Sequence, residues 1–347
     1  MANEFNEDYM NRPRAEKAPT VTDEMWECVN PFNRQITEEF LLESTHLSKQ
    51  TLKQYPSALR HFFWWVKTDC NDKKLIDITS RDYLRYQNFL ARRGLSERGI
   101  KFKRSVVSSL NQYVMLYYET EYPTFKNFIT KQIKIPETGF VYKKIPPTRE
   151  ELDMLYEKLE ELGEWQKIAY LKFTFSSGCR RSESMQIKKD IVNAKKNVKI
   201  VKVRDENGKE YEAESISYKT PMIRCKGKAE VGKQRQLQFD EDAMNAIKKW
   251  LEVRGEDDCP YLFVTKYKKI KQVSESTFED WCSGLFSEII GRRFHPHILR
   301  EARATDLVVN QGKNIEVAQK LLGHNDSSTT NIYVIREDTD DADEAFI

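Results

Sequence analysis

The sequence predicts a mainly α-helical protein with a small β-sheet, organised as two domains that a short linker connects. Apolar residues recur at the spacing of α-helices through most of the chain, whereas residues 198–203 and 211–239 alternate as strands do. Hydrophobic residues make up 39% of the 347 positions, which supplies enough apolar surface for two cores.

The first domain is predicted over residues 36–130, after an N-terminal tail of residues 1–35 that shows no periodicity. Its first helix is expected to open at Ile36 with Thr37 as the N-cap, since carboxylates follow in the first turn. The pattern indicates a bundle of four or five helices, and the further helix starts are marked by Ser48, Thr79 and Ser96.

Residues 131–147 are predicted to form a linker, because prolines and a glycine interrupt the helical pattern there. The second domain is predicted over residues 148–333, and its first helix opens with the capping-box sequence Thr148-Arg-Glu-Glu. Residues 334–347 form an acidic C-terminal tail. Beyond the strand-like residues, helices are expected at 241–254, 276–290, 297–309 and 315–322.

The net charge of +3 conceals a strong asymmetry along the chain. Residues 36–146 carry a net charge of +8, whereas the N-terminal tail carries −3 and residues 334–347 carry −5. A basic first domain predicts a polyanionic partner, with an ordinary solvated helix surface as the alternative. If the partner is double-stranded DNA, the residues expected to bind it are Lys49, Lys53, Arg98, Lys101, Lys103, Arg104, Lys143 and Lys144.

The composition argues against several other classes of protein. No run of 18 apolar residues occurs, so no membrane span is predicted, and the polar N-terminus lacks the apolar core of a signal peptide. The six cysteines are scattered without a CxxC pair, which predicts reduced thiols in a cytoplasmic protein. Neither a zinc site nor another cofactor is expected.

Four short motifs of the second domain combine residues suited to phosphate chemistry: Ser177-Gly-Cys-Arg-Arg-Ser-Glu183, Arg224-Cys-Lys-Gly-Lys228, Pro296-His-Ile-Leu-Arg300, and Leu321-Leu-Gly-His324 with Tyr333 nine residues on. Each motif alone is uninformative. Together, their order and spacing resemble the signature of the tyrosine recombinase, or phage integrase, family, over about residues 36–335. The residues at the family's catalytic positions are Arg180, Lys226, His297, Arg300, His324 and Tyr333.

The resemblance implies a helical core-binding domain, a tyrosine recombinase catalytic domain, and cleavage of a DNA phosphodiester without a metal or ATP. Arg180 and Arg300 would bind the non-bridging phosphate oxygens, because a planar guanidinium donates paired hydrogen bonds. Tyr333 would attack the phosphorus and form a 3′-phosphotyrosyl bond. Packing is the alternative role for this tyrosine, which is one of 16 in the chain.

The remaining three residues would assist proton transfer in the reaction that the resemblance implies. Lys226 would protonate the leaving 5′-oxygen, although Lys228 and Lys233 compete for this role. His297 and His324 would donate hydrogen bonds and assist proton transfer near neutral pH. Each histidine also has a purely structural alternative, the first at a helix start and the second at a helix C-cap.

Proteins of this family usually work as tetramers on two paired DNA sites, and each protomer closes around the duplex as a C-shaped clamp. The first 35 residues are short and acidic for a separate arm-binding domain. The sequence therefore resembles the simpler two-domain members, of the Xer-like or short phage-integrase type. This resemblance implies integration or excision of a phage or another mobile element.

Three features depart from the family pattern. Glu301 directly follows Arg300, where a carboxylate could pair with the guanidinium and weaken phosphate binding. Arg181 stands where an apolar residue is common, and the hairpin loop after Lys226 is slightly long. Glu183 is expected to support the turn rather than to react. The alternatives are a sequence-specific DNA-binding regulator on the same fold, with little or no recombinase activity, and an RNA-binding or structural helical protein.

Overall fold

The computed structural model of the protein describes residues 20–136, 145–204, 210–225, 232–266 and 268–323, together with Val334. These residues are mainly α-helical with small antiparallel sheets, which confirms the predicted fold class. They fall into two compact units, an N-terminal unit up to residue 136 and a C-terminal unit from residue 145 onwards. Lys143, Lys144 and the acidic tail from residue 335 lie outside the described residues.

The N-terminal unit is a helical bundle. Its described helices are α1 (Asp23–Glu27), α2 (Pro31–Glu43), α3 (Lys49–Asp69), α4 (Ser80–Arg92) and α5 (Glu97–Tyr117), with a 3₁₀ turn at Leu75–Asp77. The predicted starts of α3, α4 and α5 are confirmed, because each N-cap side chain accepts a hydrogen bond from the first turn. These N-caps are Ser48, Thr79 and Ser96.

The prediction that the first helix opens at Ile36 with Thr37 as its N-cap is wrong. Helix α2 begins at Pro31, and the Asn30 side chain caps it by accepting a hydrogen bond from the Phe32 amide at 3.0 Å. Proline at the first helical position is favourable because its missing N–H would have no partner there. Thr37 lies inside the helix, where its hydroxyl donates to the Asn33 carbonyl at 2.7 Å.

Residues 20–35 therefore belong to the N-terminal unit and are not part of a tail. Trp26 and Val29 are 5% and 1% exposed and join the same hydrophobic core as the helices that follow. Aromatic rings dominate this core. The largest fully buried side chains of the unit are Phe62, Phe63, Tyr83 and Tyr86.

The C-terminal unit is also mainly helical. Its described helices are α6 (Arg149–Glu161), α7 (Trp165–Ser177), α8 (Arg181–Ser184), α9 (Glu241–Arg254), α10 (Glu275–Trp281), α11 (Ser287–Ile290), α12 (Ile298–Thr305) and α13 (Ile315–Leu322). A 3₁₀ turn covers Lys189–Asn193, and π-helical turns cover Cys282–Phe286 and Asp306–Asn310. The predicted capping box at Thr148 is confirmed, with Glu151 as its second member.

Short antiparallel strands accompany these helices. They are β1 (Asn197–Arg204), β2 (Glu210–Lys219), β3 (Ile223–Cys225), β4 (Lys233–Arg235), β5 (Gln238–Phe239), β6 (Val264–Thr265) and β7 (Lys271–Gln272). Among the described residues they form a sheet of order β1-β2-β5 and two separate pairs, β3-β4 and β6-β7. The strand-like residues predicted as one small sheet are therefore divided between the first sheet and the β3-β4 hairpin.

Helix α7 lies at the centre of the C-terminal unit. Ala169, Leu171 and Phe173 are completely buried, as expected for a helix that packs against neighbours on several sides. Tyr170 stacks on Phe278, with ring centroids 4.3 Å apart. This packing fixes the middle of α7, and the first motif begins at the C-terminal end of the same helix. No helix in the described part of the chain is long and apolar enough to cross a membrane.

Candidate active site

The end of helix α7 is a tight turn that only glycine fits well. Gly178 is the C-cap residue in the left-handed conformation, with φ of 57°. A Cβ atom at this position would overlap the Leu322 side chain at the end of α13. The turn that begins the first motif therefore packs directly against the helix that ends in the fourth motif.

The Glu183 carboxylate makes the central contacts of this turn. It is completely buried and accepts hydrogen bonds from the Arg180 amide and from Arg180 Nη1, both at 2.9 Å. The Glu183 carboxylate therefore caps the short helix α8 by accepting from the amide of its N-cap residue, which confirms that Glu183 supports the turn. The Arg180 side chain is 25% exposed, so the same ion pair orients a guanidinium that solvent still reaches.

A second guanidinium also bonds to Glu183. Arg235 on strand β4 donates from Nη2 to Glu183 Oε2 at 2.9 Å. Burial by itself would raise the pKa of Glu183, but the charges and hydrogen bonds of Arg235 and Arg180 hold this pKa below its ordinary value. Glu183 is consequently a buried carboxylate that stays ionised at neutral pH and holds two cations.

Arg235 makes a further contact that joins separate parts of the chain. Its Nη1 donates to the Leu321 carbonyl at the end of α13, at 2.8 Å. Gly323 follows in the left-handed conformation with φ of 67°, and a Cβ atom there would lie 2.6 Å from Arg235 Nη1. The sequence motifs alone indicate no role for Arg235. The position of Arg235 in the strand after the Lys226 motif was the available signal for a role in the site. The partners of Arg235, however, are remote from it in sequence.

Arg300 is fully buried at the start of α12. Its Nη1 donates to the Gly178 carbonyl at 2.5 Å, and its Nη2 donates to the Leu322 carbonyl at 2.8 Å. The predicted arginines Arg180 and Arg300 are therefore both attached to the turn that starts at Gly178. Glu301, which was noted as a departure from the family pattern, is also completely buried.

His297 is the N-cap residue of α12 and is partly buried. Its carbonyl accepts hydrogen bonds from the amides of Arg300 and Glu301, at 3.2 and 3.3 Å. His297 and Arg300 are three residues apart at the start of one helix, and this spacing places side chains on the same face. The third motif therefore lies beside the turn that carries Arg180.

Lys226, His324 and Tyr333 lie outside the described residues, so their positions in the site stay predictions. Hydrogen bonds hold the described neighbours of Lys226 in place. In the β3-β4 hairpin, Cys225 pairs with Lys233. Gln186 accepts from the Arg224 amide at 3.0 Å and donates to the Arg224 carbonyl at 2.8 Å. Lys226 thus directly follows a strand that is anchored to the end of α8.

Arg181, the other departure near the turn, has an explanation in the structure. Its guanidinium donates to Glu275 at 3.0 Å and to Glu279 at 3.1 Å, both on α10. These ion pairs are partly exposed, and pairs of this kind each contribute little to stability. They connect α8 to α10, which accounts for a charged residue where an apolar one is common in the family.

The exposed residues among those expected to bind DNA lie on α3 and α5. Lys53, Arg98 and Lys101 are exposed, and Lys101 forms an ion pair with Glu97 at 2.5 Å. Lys103 is less exposed, and burial lowers the pKa of its ammonium group. The side chain of Lys49 lies outside the described residues.

Arg104 is held differently from these lysines. Its Nη1 and Nη2 donate to the carbonyls of Ile133 and Thr130, at 2.5 and 2.6 Å. Both bonds attach the segment after α5 to the bundle. Arg104 therefore has a structural role that the sequence did not indicate.

The described residues contain no group of three or more His, Cys, Asp or Glu side chains arranged to hold a metal ion. All six cysteines are described as free thiols. Burial raises the pKa of the Cys179 thiol, beside Arg180, to about 12, which keeps this thiol protonated.

The sequence matches known families over both units. The pattern of the phage integrase family matches residues 148–339, which is more than half of the chain. The pattern of the phage integrase N-terminal SAM-like domain matches residues 38–116.

Three similar proteins are named as recombinases or as recombinase-like. The chain is 36% identical over 344 residues to the SPbeta prophage-derived recombinase-like protein YomM of Bacillus subtilis, covering 97% of this chain and 98% of that protein. It is 27% identical to a tyrosine recombinase of Thermosipho africanus, covering 86% and 93% of the two chains. It is also 27% identical to tyrosine recombinase XerA of Pyrococcus horikoshii, over 87% and 89%.

Solved structures share the fold at lower sequence identity. XerH site-specific recombinase bound to its difH substrate has a TM-score of 0.63 at 16% identity, and covers 96% of this chain and 98% of its own. The Tn1549 transposon integrase in complex with circular intermediate DNA has a TM-score of 0.62 at 13% identity, with 90% and 97% covered. Since the family pattern, the relatives and the fold agree, the chain belongs to the phage integrase family of tyrosine recombinases.

Proposed function

We propose that the protein performs site-specific recombination of double-stranded DNA, by strand cleavage and rejoining through a 3′-phosphotyrosyl intermediate. The observation that carries the proposal is that Arg180 and Arg300 are both hydrogen-bonded to one turn, with His297 at the start of the helix that carries Arg300. Fixed cations around a phosphate are what phosphodiester cleavage requires when no metal takes part. Integration or excision of a phage or another mobile element is the biological setting that we propose.

In this proposal Arg180 and Arg300 bind the non-bridging oxygens of the scissile phosphate. The hydrogen bonds of Arg300 to the Gly178 and Leu322 carbonyls fix the plane of its guanidinium. Glu183 does the same for Arg180. Donors that are oriented before the reaction lose no free energy to reorganisation when charge develops on the phosphate. His297 adds a hydrogen bond from the same side.

The covalent steps belong to residues outside the described part of the chain. The Tyr333 phenol gives its proton to a neighbouring base, the role proposed for His324, and attacks phosphorus, while the 5′-oxygen leaves with a proton from Lys226. Rejoining reverses the step, because a 5′-hydroxyl of the partner strand attacks the phosphotyrosine. Each step exchanges one phosphoester for another, so no ATP is consumed.

The same proposal assigns a function to each segment of the chain. Residues 36–130, with residues 20–35 packed onto them, form the core-binding domain, and residues 148–333 form the catalytic domain. Residues 131–147 are the linker and residues 334–347 the acidic tail. We propose a tetramer on paired DNA sites as the active assembly. This inference draws support from the related lambda integrase, which forms a tetramer bound to a Holliday junction.

A cytoplasmic location, in a bacterial cell or a phage-infected host, completes the proposal because the DNA substrate is there. The alternative of a DNA-binding regulator gains no support from the relatives reported above, which are named as recombinases or recombinase-like. Only a chemical test separates the two, since both functions require DNA binding.

That test is the formation of a covalent adduct. A binding duplex is selected from a random DNA pool with the full-length protein, and is then synthesised with a nick near the centre so that cleavage is trapped. The wild-type protein should form a DNA adduct that resists SDS, and Tyr333→Phe should form none while its DNA affinity changes by less than about threefold. A wild-type protein that binds without forming an adduct is a regulator, and adducts with the variant reassign the nucleophile.

A further inference from the structure

We propose that Arg235 is a positioning residue of the active site. It connects the carboxylate that orients Arg180 to the end of the helix that precedes His324, and so fixes the two sides of the site relative to each other. The inference rests on the proposed recombinase function, and it concerns a residue outside the six catalytic positions.

The first half of the connection is the bond to Glu183. Arg235 Nη2 lies 2.9 Å from Glu183 Oε2, whereas Arg180 Nη1 lies 2.9 Å from Glu183 Oε1. The two guanidinium groups thus bind opposite oxygens of one buried carboxylate, and the Arg180 amide also donates to Oε2. Without Arg235, the carboxylate would lose the cation that holds it from outside the turn, and it could move together with Arg180. The orientation of Arg180 therefore depends on Arg235 through Glu183.

The second half of the connection is the end of helix α13. The last carbonyls of a helix have no partner within the helix and need other donors. Arg235 Nη1 supplies one to the Leu321 carbonyl at 2.8 Å, and Arg300 supplies one to the Leu322 carbonyl at 2.8 Å. Gly323 then packs against the Arg235 side chain. His324 follows Gly323 in the sequence, so Arg235 fixes the helix end that directly precedes that histidine.

An arginine suits this task better than a lysine does. The planar guanidinium donates in two fixed directions, whereas an ammonium group is a single point of charge. Burial alone would lower the pKa of Arg235, but Glu183 raises this pKa above its ordinary value, so the charge is retained. A lysine can reach the carboxylate or the carbonyl, and it leaves the other without a donor.

The chain offers a matched control in Arg254. This buried arginine also bonds a carboxylate, at 2.5 and 2.6 Å to Asp257, and it also donates to backbone carbonyls, including that of Tyr261 at 2.6 Å. These hydrogen-bond partners of Arg254 lie in residues 257–262 and include neither Glu183 nor Leu321. Arg254→Lys therefore removes a buried guanidinium of the same kind without touching the proposed connection.

The experiment compares Arg235→Lys, Arg235→Gln and Arg254→Lys with the wild-type protein. For each, the dissociation constant for the selected duplex, the thermal midpoint, and the single-turnover rate of adduct formation at saturating nicked duplex are measured. We expect both Arg235 variants to form adduct about 10²-fold more slowly, the loss that a misplacement of about 1 Å causes. Their DNA affinity should stay within about threefold of wild type. Arg254→Lys should lower the thermal midpoint but not the saturated rate.

A double variant tests whether Arg235 acts through Glu183. If it does, Arg235→Gln and Glu183→Gln combined should be little slower than the slower single variant, because both remove the same connection. Rates that fall no further in Arg235→Lys than in Arg254→Lys overturn the inference, as do additive effects with Glu183→Gln. Should Arg235→Gln fail to fold, the Lys variant decides. Adduct formation by the wild-type protein is measured before the variants are compared. A wild-type protein that forms no adduct refutes the proposed function itself.

Discussion

Two sets of basic side chains, one in each unit, are held in opposite ways. Lys53, Arg98 and Lys101 of the N-terminal unit are exposed on helices. Arg235 and Arg300 of the C-terminal unit are 18% exposed and completely buried, and their guanidinium groups donate to backbone carbonyls or a carboxylate. The first set presents its charge to solvent, whereas the second set holds its charge in a fixed geometry.

This difference in burial indicates what each set of basic side chains can contribute to the proposed reaction. An exposed cation attracts a phosphate through a field that salt screens, and it binds in many orientations. A buried guanidinium with fixed partners cannot move to follow a ligand, but it stabilises charge that develops at one defined point. Changes in the first unit should therefore alter the affinity for DNA and its salt dependence, and changes in the second should alter the rate of cleavage.

The largest effect is expected at Arg300. In Arg300→Lys, the ammonium group cannot bond the Gly178 and Leu322 carbonyls and the phosphate together, so adduct formation at saturating DNA should slow by about 10²–10³-fold. Affinity for the duplex should change little. Rates are measured in single turnovers, below the thermal midpoint of the variant. A variant that loses affinity for the duplex but keeps its saturated rate would show that Arg300 contributes to DNA binding, as the exposed cations do, and not to cleavage.

The next effect concerns the exposed cations Arg98 and Lys101. Replacing both with glutamine should reduce the slope of log affinity against log salt by about 0.9 for each phosphate contact that is lost. The saturated rate of adduct formation should not change, because neither residue lies in the C-terminal unit. The measurement is a salt titration of binding to the selected duplex. An unchanged slope would move the DNA-binding face to other residues.

Arg104 supplies the matched control for that titration, since it lies on α5 with Arg98 and Lys101 but bonds the Ile133 and Thr130 carbonyls. Arg104→Gln should lower the free energy of unfolding by about 1.5–3 kcal/mol, the range for hydrogen bonds to charged groups. Urea denaturation measures this loss. The salt slope should stay as in the wild-type protein, and a slope reduced by a full contact would return Arg104 to the DNA-binding residues.

The smallest effect concerns His61, a partly buried basic residue that is neutral in the folded protein, whereas the buried arginines keep their charge. His61 lies 3.1 Å from the Tyr86 hydroxyl, and burial, then the charges of Lys103 and Arg93, lower its pKa from 6.5 to about 4. The unfolded chain therefore binds a proton that the folded protein rejects between these values. Stability should fall as the pH drops from about 6.5 to about 4.

Urea denaturation at a series of pH values compares the wild-type protein with His61→Gln, which cannot titrate. The variant should lose less stability over this window, even if its absolute stability is lower. Equal pH dependence in both proteins would show that carboxylates, and not His61, control the acid limb.

Local signals in the sequence determined most of the secondary structure. Ser48, Thr79, Ser96 and Thr148 all cap helices where expected, because an N-cap depends on three or four consecutive residues. The missed start of α2 was also a local signal, since Asn30 and Pro31 form a cap that the tail assignment overlooked. The family and the six candidate catalytic positions likewise followed from short motifs in a set order.

Only the tertiary structure decided how the motifs are supported. Arg235 reaches Glu183 and Leu321, which are 52 and 86 residues away, and Arg300 reaches Gly178, which is 122 residues away. Motif spacing contains no information about such contacts, because they form where helix ends meet in the folded unit. Likewise, the sequence placed Arg104 and Arg98 in one basic group, and burial against the segment after α5 separated them. Charge is a property of the residue type, but the partner that uses it is a property of the fold.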